Sequence, residues 1–494
     1  MNLPAKVLVA NRGEIAVRIM RTLRRLGIAS VAVYHAEDAD GRAVREADEA
    51  VELFGDTPVG AYLDVAGIVA ACQSTGATAV HPGFGFLSEN AGFAEALAEA
   101  GITFVGPPPD AMRAMGDKIE SKRLAEQAGV PTLPGSDGAV ESAEEAATIA
   151  QGIGFPVLLK ASAGGGGKGM RIAYDVEECR EAFTRASGEA LASFGDGRVF
   201  VERFIERPRH IEVQVLADGH GTVLHLGERE CSIQRRYQKV VEECPSPFVD
   251  AAKRAEMGAT AVALARAVGY VSAGTVELIV DEQANFYFLE MNTRLQVEHP
   301  VTELVTGIDI VEQQLRVAAG ERLGFGQEDV RFDGHAIECR IYAEDADAGF
   351  VPATGPLKLV RFPAGEGIRV DHGVVEGQDV SASFDPMIAK LAVHAPTRAE
   401  AIARGRDALR HTVLLGTITN TAFLERVLAQ PAFAAGETHT GFIEEHSDAL
   451  VGDGAVADED AERCLVAAAA LASPRFDQRL SVPEPLASMG GWRR

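Results

Sequence analysis

The chain has 494 residues, with 47 Lys and Arg against 72 Asp and Glu and a formal net charge of −25. That surplus of acid excludes nucleic acid and anionic membrane as main partners, so an anionic substrate must be met by local basic groups. The length exceeds what one hydrophobic core usually holds and predicts about three domains.

In chain order, the first segment alternates strand-like and helix-like runs: AKVLVA, then GEIAVRIMRTLRRLG with helical period, then SVAVYHAED, and later TAVHPG and TFVGPP. This predicts a parallel, Rossmann-like sheet. Its first turn, Ala10-Asn11-Arg12-Gly13-Glu14-Ile15, lacks the G-x-G-x-x-G that admits a pyrophosphate, so Glu37 and Asp38 after the second strand are not read as ribose ligands. The junction Gly106-Pro107-Pro108-Pro109 closes this unit near residue 115.

The second segment carries a glycine run from Gly164 to Gly167 directly after FPVLLKAS, a placement for a hairpin loop whose N–H groups turn toward phosphate. No Walker A frame fits, and a glycine run alone is equally a mobile linker. Lys160 before the loop and Lys118 in MGDKIESK offer point charges for nucleotide phosphates, or are solvated surface lysines. The run FVERFIERPRHIEVQVL alternates as a strand pair, with Glu202 and Ile205 at a hinge that can take an adenine edge.

Further on, EMNTRLQVEHP reads as one strand that places Glu290, Asn292, Arg294, Gln296 and Glu298 on a single face. Same-face neighbours stand roughly 6 to 7 Å apart. Met291, Leu295 and Val297 fit a buried opposite face. A metal-ligating carboxylate and amide then stand beside an anion-holding guanidinium and a second carboxylate, an order suited to joining an anion to a phosphate. The other reading, a solvated strand face, favours Lys, Thr and Ser over this mixture. Six cysteines, at 72, 179, 231, 244, 339 and 464, form no CxxC pair and suit a reducing compartment. No long apolar segment or signal-type N-terminus occurs, so the expected location is the cytoplasm.

The motifs ANRGEIAVRI, HPGFGFLSEN, GDKIESK, GGGGKGM, ERPRHIEVQVL, ERECSIQRRYQKVVEE, EMNTRLQVEHPVTE and GHAIECRIYAEDA occur in that order. Together they resemble the ATP-grasp biotin carboxylases over nearly residues 4 to 445. The resemblance implies an α/β (α+β) chain: a Rossmann-like N-terminal domain over 1–116, an ATP-grasp domain over 117–331 with a Gly-rich lid around 132–203, a biotin carboxylase C-terminal domain over 332–446, and an Ala- and Pro-rich tail over 447–494. It implies a ligase that uses ATP, two Mg²⁺ (or Mn²⁺) ions and bicarbonate to carboxylate biotin through carboxyphosphate, the first half-reaction of an acyl-CoA carboxylase. The positions matching metal ligands are Glu277, Glu290 and Asn292. Bicarbonate falls to Lys239, Arg294, Gln296 and the N–H of Val297. Glu298 matches the general base, a role expected to need burial that raises its carboxyl, and its bland role is a salt bridge to Arg294. Arg340 matches the residue that stabilises the enolate-like biotin anion. Nucleotide contacts carry over to Lys118, Lys160, Gly165, Gly166, Glu202, Ile205, His210, Gln234 and Tyr237, although His210 alone reads as a structural histidine.

Two positions depart from the family pattern. Tyr237 stands where many members have His, and Phe84 where many have Tyr near biotin, which bears on nucleotide affinity and biotin contact. The last lysine is Lys390, and no Met-Lys or Lys-Met dipeptide of the biotin-accepting kind occurs. The resemblance therefore implies a biotinyl carrier and a carboxyltransferase on separate chains, within a homodimer or a larger complex. Another ATP-grasp ligase, such as a carbamoyl phosphate or amino-acid ligase, should lack the row of Arg294, Gln296 and Glu298. A non-catalytic ATP-binding subunit should show eroded catalytic positions, and none is eroded.

Overall fold

The apolar runs at the N-terminus pair in parallel. Strands β1 (Lys6–Val9), β2 (Ala29–Tyr34), β3 (Glu49–Glu52), β4 (Ala79–His81) and β5 (Thr103–Phe104) form one sheet in the order β3-β2-β1-β4-β5. Helix α1 (Gly13–Leu26) follows β1 and buries Ile15, Ile19 and Leu23, spaced four residues apart along one face. It ends at Gly27, whose φ of 71° is the left-handed cap that glycine takes without strain. Asp38 is held by Arg12 and the Tyr62 hydroxyl, each at 2.6 Å, so it is an internal ion-pair partner.

The computed structural model describes residues 3–161, 170–452 and Val466. Gly165, Gly166 and nearly all of the tail fall outside these residues. Strand β6 (Val157–Ala161) pairs antiparallel with β7 (Met170–Ala173), and β8 (Val199–Arg203) lies on the other edge of β6. The strands flanking the glycine run are thus hairpin partners. Helices α2 (Ala143–Ile153) and α3 (Val176–Phe194) complete this unit; Ser142 and Asp175 cap them by accepting a first-turn N–H. Its separate core is built from small side chains, among them Ala146, Val157, Cys179, Ala186 and Val199.

The third sheet is the largest. Strands β9 (Arg209–Ala217), β10 (Val223–Arg235), β11 (Gln238–Cys244), β12 (Ser272–Val280), β13 (Phe286–Asn292), β14 (His335–Tyr342), β15 (Ile368–His372) and β16 (Met387–Ala395) pair antiparallel in the order β13-β12-β9-β10-β11-β14-β16-β15. Two sequence expectations are corrected here. Strands β8 and β9 are not a pair but belong to different sheets, linked by residues 204–208, where Arg207 has a φ of 48° and Pro208 has no N–H for a ladder. The polar row is not one strand either. The ladder with β12 ends at Thr275 opposite Asn292, the chain turns through residues 293–298, and helix α4 (His299–Thr306) begins with Pro300 in its first turn. An extended run over 290–298 would spread its polar groups over about 27 Å, too far to meet on one small anion.

No described helix is long and apolar enough to cross a membrane. The five cysteines within the described residues are free and buried.

Candidate active site

The site is organised around one lysine. Strands β10 and β11 meet in a tight turn at Arg236 and Tyr237, with φ of 49° and 67°. Two residues on, Lys239 Nζ donates to Glu212 of β9 at 2.6 Å, to Glu277 of β12 at 2.9 Å and to Glu298 at 2.6 Å. Burial works against its ammonium, but the three carboxylates outweigh it and push the group well above its usual range. Glu212 is held from its other side by Arg229, fully buried, which also donates to Gln214 at 2.8 Å and Thr302 at 2.9 Å.

Glu298 has a second cation. Arg340 of β14 donates from Nη2 to Glu298 at 3.0 Å and from Nε to Glu242 of β11 at 2.6 Å. Burial raises the Glu298 carboxyl, yet Lys239, Arg340 and Arg229 overcome it and hold the group well below the usual range. The expectation of a raised carboxyl is therefore corrected: three cations surround Glu298, and it stays ionised. Nor does Glu298 pair with Arg294. That guanidinium donates to Glu89 at 3.1 Å, to Gln296 Oε1 at 2.9 Å and to Asn292 Oδ1 at 3.0 Å.

Glu277 and Glu290 stand opposite each other across β12 and β13. Asn292 donates to Glu277 at 2.8 Å, and His210 Nε2 lies 2.8 Å from the other Glu277 oxygen. Burial raises Glu277, but Lys239 and His210 hold it below the usual range. Glu290 is raised by burial and then by the negative charge of Glu277. These two hard oxygen donors repel each other across the ladder, an environment a divalent cation relieves.

The nucleotide candidates divide between the sheets. Gln234 meets His210 Nδ1 at 2.7 Å on the large sheet. On the small sheet Glu202 accepts from Lys160 at 2.6 Å and Lys122 at 3.1 Å; burial raises its carboxyl, and the two ammonium groups reverse the shift. Ile205 is half-buried in the link between the two sheets. Lys118 starts a helix near Glu290; burial lowers its ammonium, with Glu290 opposing the shift. Tyr237 is 58% exposed at the tip of the β10–β11 turn. Phe84 is placed through its carbonyl, which accepts from Asn11 at 2.7 Å. The structure thus gathers Lys239, Glu277, Glu290, Asn292, Arg294, Gln296, Glu298, Arg340, His210 and Gln234 on or beside one sheet.

Sequence reasoning passed over Glu89, Glu212, Arg229 and Glu242. The signal was present for Glu212, which shares a strand face with His210 and Gln214 inside an otherwise apolar run, and for Glu242, a charge inside KVVEE.

A sheet floored with carboxylates and cations, joined through a short link to a small sheet whose hairpin carries a lysine, defines an ATP-grasp ligase. Residues 117–325 match the family described as carbamoyl-phosphate synthase L chain, ATP binding domain; residues 4–112 and 338–445 match the N-terminal and C-terminal domains of biotin carboxylase. The chain belongs to the biotin carboxylase family and is an ATP-dependent ligase. It is 53% identical to the biotin carboxylase of Halalkalibacterium halodurans over 89% of this chain and 97% of that one. It is 54% identical to the propionyl-CoA carboxylase alpha chain of Ruegeria pomeroyi over 94% of this chain; it spans 71% of that protein and 60% of the human alpha chain. The solved biotin carboxylase domain dimer of Hydrogenobacter thermophilus 2-oxoglutarate carboxylase, in complex with MgADP, ADP and bicarbonate, superposes with a TM-score of 0.87 at 49% identity, over 91% of this chain and 99% of that one.

Proposed function

We propose that the chain joins bicarbonate to biotin at the expense of MgATP, through carboxyphosphate, as the first half-reaction of an acyl-CoA carboxylase, with biotin presented by a carrier protein and passed to a carboxyltransferase. The observation that carries this reading is Lys239, one ammonium bound at once to Glu277 on the metal side and to Glu298 on the base side. The MgADP and bicarbonate of the Hydrogenobacter complex support it.

Bicarbonate lies against Lys239, Arg294, Gln296 and the Val297 N–H, where a guanidinium fork matches a planar oxyanion. Glu298 takes its proton, and the cations around Glu298 lower the cost of the second negative charge on the substrate. The freed oxygen attacks the γ-phosphorus, ADP leaves, and carboxyphosphate splits into carbon dioxide and phosphate. The phosphate takes the ureido N–H proton of biotin, and the nitrogen attacks carbon dioxide while Arg340 faces the developing anion. Glu277, Glu290 and Asn292 fit Mg²⁺ by donor type and by the mutual repulsion of the two acids; when bound, the ion neutralises phosphate charge. Lys118, Lys160, Glu202, Ile205, His210, Gln234 and Tyr237 serve the nucleotide.

The test is ADP release by the purified chain with MgATP, bicarbonate and free biotin, each omitted in turn, with carboxybiotin assayed as product. A rate dependent on all three is expected. MgATP binding without turnover, even with biotinylated carriers added, would instead mark a non-catalytic subunit.

A further inference from the structure

The bicarbonate turn, residues 293–298, is held from behind by two buried residues that the mechanism above does not use. His299 Nδ1 lies 2.7 Å from the carbonyl oxygen of Gln296. A carbonyl only accepts, so Nδ1 carries the hydrogen. Lys390 of β16 donates from Nζ to the next carbonyl, that of Val297, at 2.6 Å. Both side chains are closed off from solvent.

Neither residue is there for a surface ion pair. Lys390 sits opposite Arg340 in the β14–β16 ladder and lies 3.2 Å from Glu14 of α1, so it ties the N-terminal unit to the turn. His299 Nε2 has no hydrogen-bond partner among the described residues, and its closest carboxylate oxygen, on Glu303, is 3.9 Å away. Burial, reinforced by the positive charges of Lys390, Arg18 and Arg369, pushes this imidazole well below its usual range, so the ring is neutral with a single N–H. That N–H is the one on the Gln296 carbonyl.

Peptide planarity turns these two bonds into a statement about the site. In a trans peptide the N–H points opposite to the C=O. Fixing the Gln296 carbonyl toward His299 aims the Val297 N–H away from it, and among the described residues that N–H meets no acceptor. Fixing the Val297 carbonyl on Lys390 sets the following peptide and hence the origin of the Glu298 side chain.

We propose that His299 and Lys390 are positioning residues for the bicarbonate turn, each anchoring one of two successive carbonyls so that the Val297 N–H and the Glu298 carboxylate are presented to the anion. This rests on the bicarbonate reading given above, and the experiment separates the two. In steady-state assays of the full chain, His299→Asn places an amide N–H where Nδ1–H stands, whereas His299→Gln does not. The His299→Gln change is expected to raise the bicarbonate KM about tenfold, the worth of one buried hydrogen bond. His299→Asn should remain within about twofold of the parent, and the MgATP KM should hold in both. Lys390→Met should raise the bicarbonate KM and increase ADP release that yields no carboxybiotin.

A bicarbonate KM unmoved in His299→Gln and Lys390→Met, while Arg294→Ala raises it, overturns the positioning role alone. No rise in Arg294→Ala defeats the bicarbonate reading itself. Should His299→Gln or Lys390→Met fail to fold, the ¹⁵N spectrum of the parent chain, with the His299 signal assigned through His299→Asn, decides: the Nδ1–H tautomer is required, and the Nε2–H tautomer overturns the proposal.

Discussion

The large antiparallel sheet and the small three-stranded one handle charge in opposite ways. On the large sheet Glu212 and Arg229, and beside it Glu298, are all fully closed off from solvent, and each is matched by a neighbour of opposite sign already in place. On the small sheet the core is mostly Ala and Val, and the only buried acid within its three strands is Glu202, tied to two partly exposed lysines. The small sheet joins the rest through residues 204–208 and through the stretch before α2, where Thr132 bridges Phe288 and Gly135 bridges Glu202. Activating a weak acid such as bicarbonate needs charges fixed before the substrate arrives, which a deep sheet supplies. In the proposed reaction, enclosing the nucleotide falls to the small sheet, which two connections join to the rest.

The sharpest way to break this comparison is Glu298→Gln. Bicarbonate-dependent ADP release should fall about 10²- to 10⁴-fold, the range for a lost general base, while MgADP binding by calorimetry stays within about twofold of the parent. Loss of nucleotide binding with the fold intact would dissolve the division of labour. Arg340→Ala comes next. It leaves Glu242 and Glu298 without their shared cation, so carboxybiotin formation should fall further than ADP release, and denaturant unfolding should show a loss of about 3 kcal/mol. Biotin carboxylation at the parental rate would remove Arg340 from the reaction.

The small sheet should give the reverse pattern. Lys160→Met should weaken MgATP about tenfold by KM, the scale of one charge-assisted hydrogen bond, and leave the bicarbonate KM alone; a shift in bicarbonate instead would mean the sheets are not separable. A smaller effect sharpens the picture of surplus acid in the large sheet. Burial pushes Glu230 up to about 7 from 4.5, against the pull of Ser232, Arg209 and Ser246. A group raised on folding stabilises fully below its unfolded value, and that contribution is lost as pH rises through the folded one. Melting temperatures taken from about pH 5 to about pH 8 should therefore fall more steeply for the parent than for Glu230→Gln; parallel curves would show that Glu230 is ionised throughout. The smallest change is Phe84→Tyr, which restores a hydroxyl and should lower the biotin KM by no more than about threefold.

Much of this architecture was legible because apolar runs report their own period. The parallel N-terminal sheet followed from AKVLVA and SVAVY with a helical run between them, and the hairpin at the glycine run from the strand-like FPVLLKAS directly before it. That these polar residues converge was legible too: Glu298 bonds Lys239, Asn292 and Gln296 reach it through Glu277, and Arg294 bonds Asn292 and Gln296. Their geometry was not, because alternation continues in a sequence after the backbone has left its ladder; only Pro300 hinted that a helix was about to begin. The ionisation of Glu298 was misjudged for a related reason. Burial is readable from apolar neighbours, but the cations that overrule it come from β10, β11 and β14, distant in sequence. Lys390 and His299 gave no signal at all, since what they hold is backbone.

The five buried thiols are spread across these same parts. Cys72 lies in the core of the N-terminal unit, Cys179 in that of the small sheet, and Cys231, Cys244 and Cys339 on the large one. Burial raises every one of them above the ordinary thiol range, so none offers a thiolate to an alkylating reagent while its surroundings stay closed. Each is therefore a clock for its own region: with Cys464 replaced, the order in which the five become labelled would tell which sheet opens first, and whether the small one opens alone.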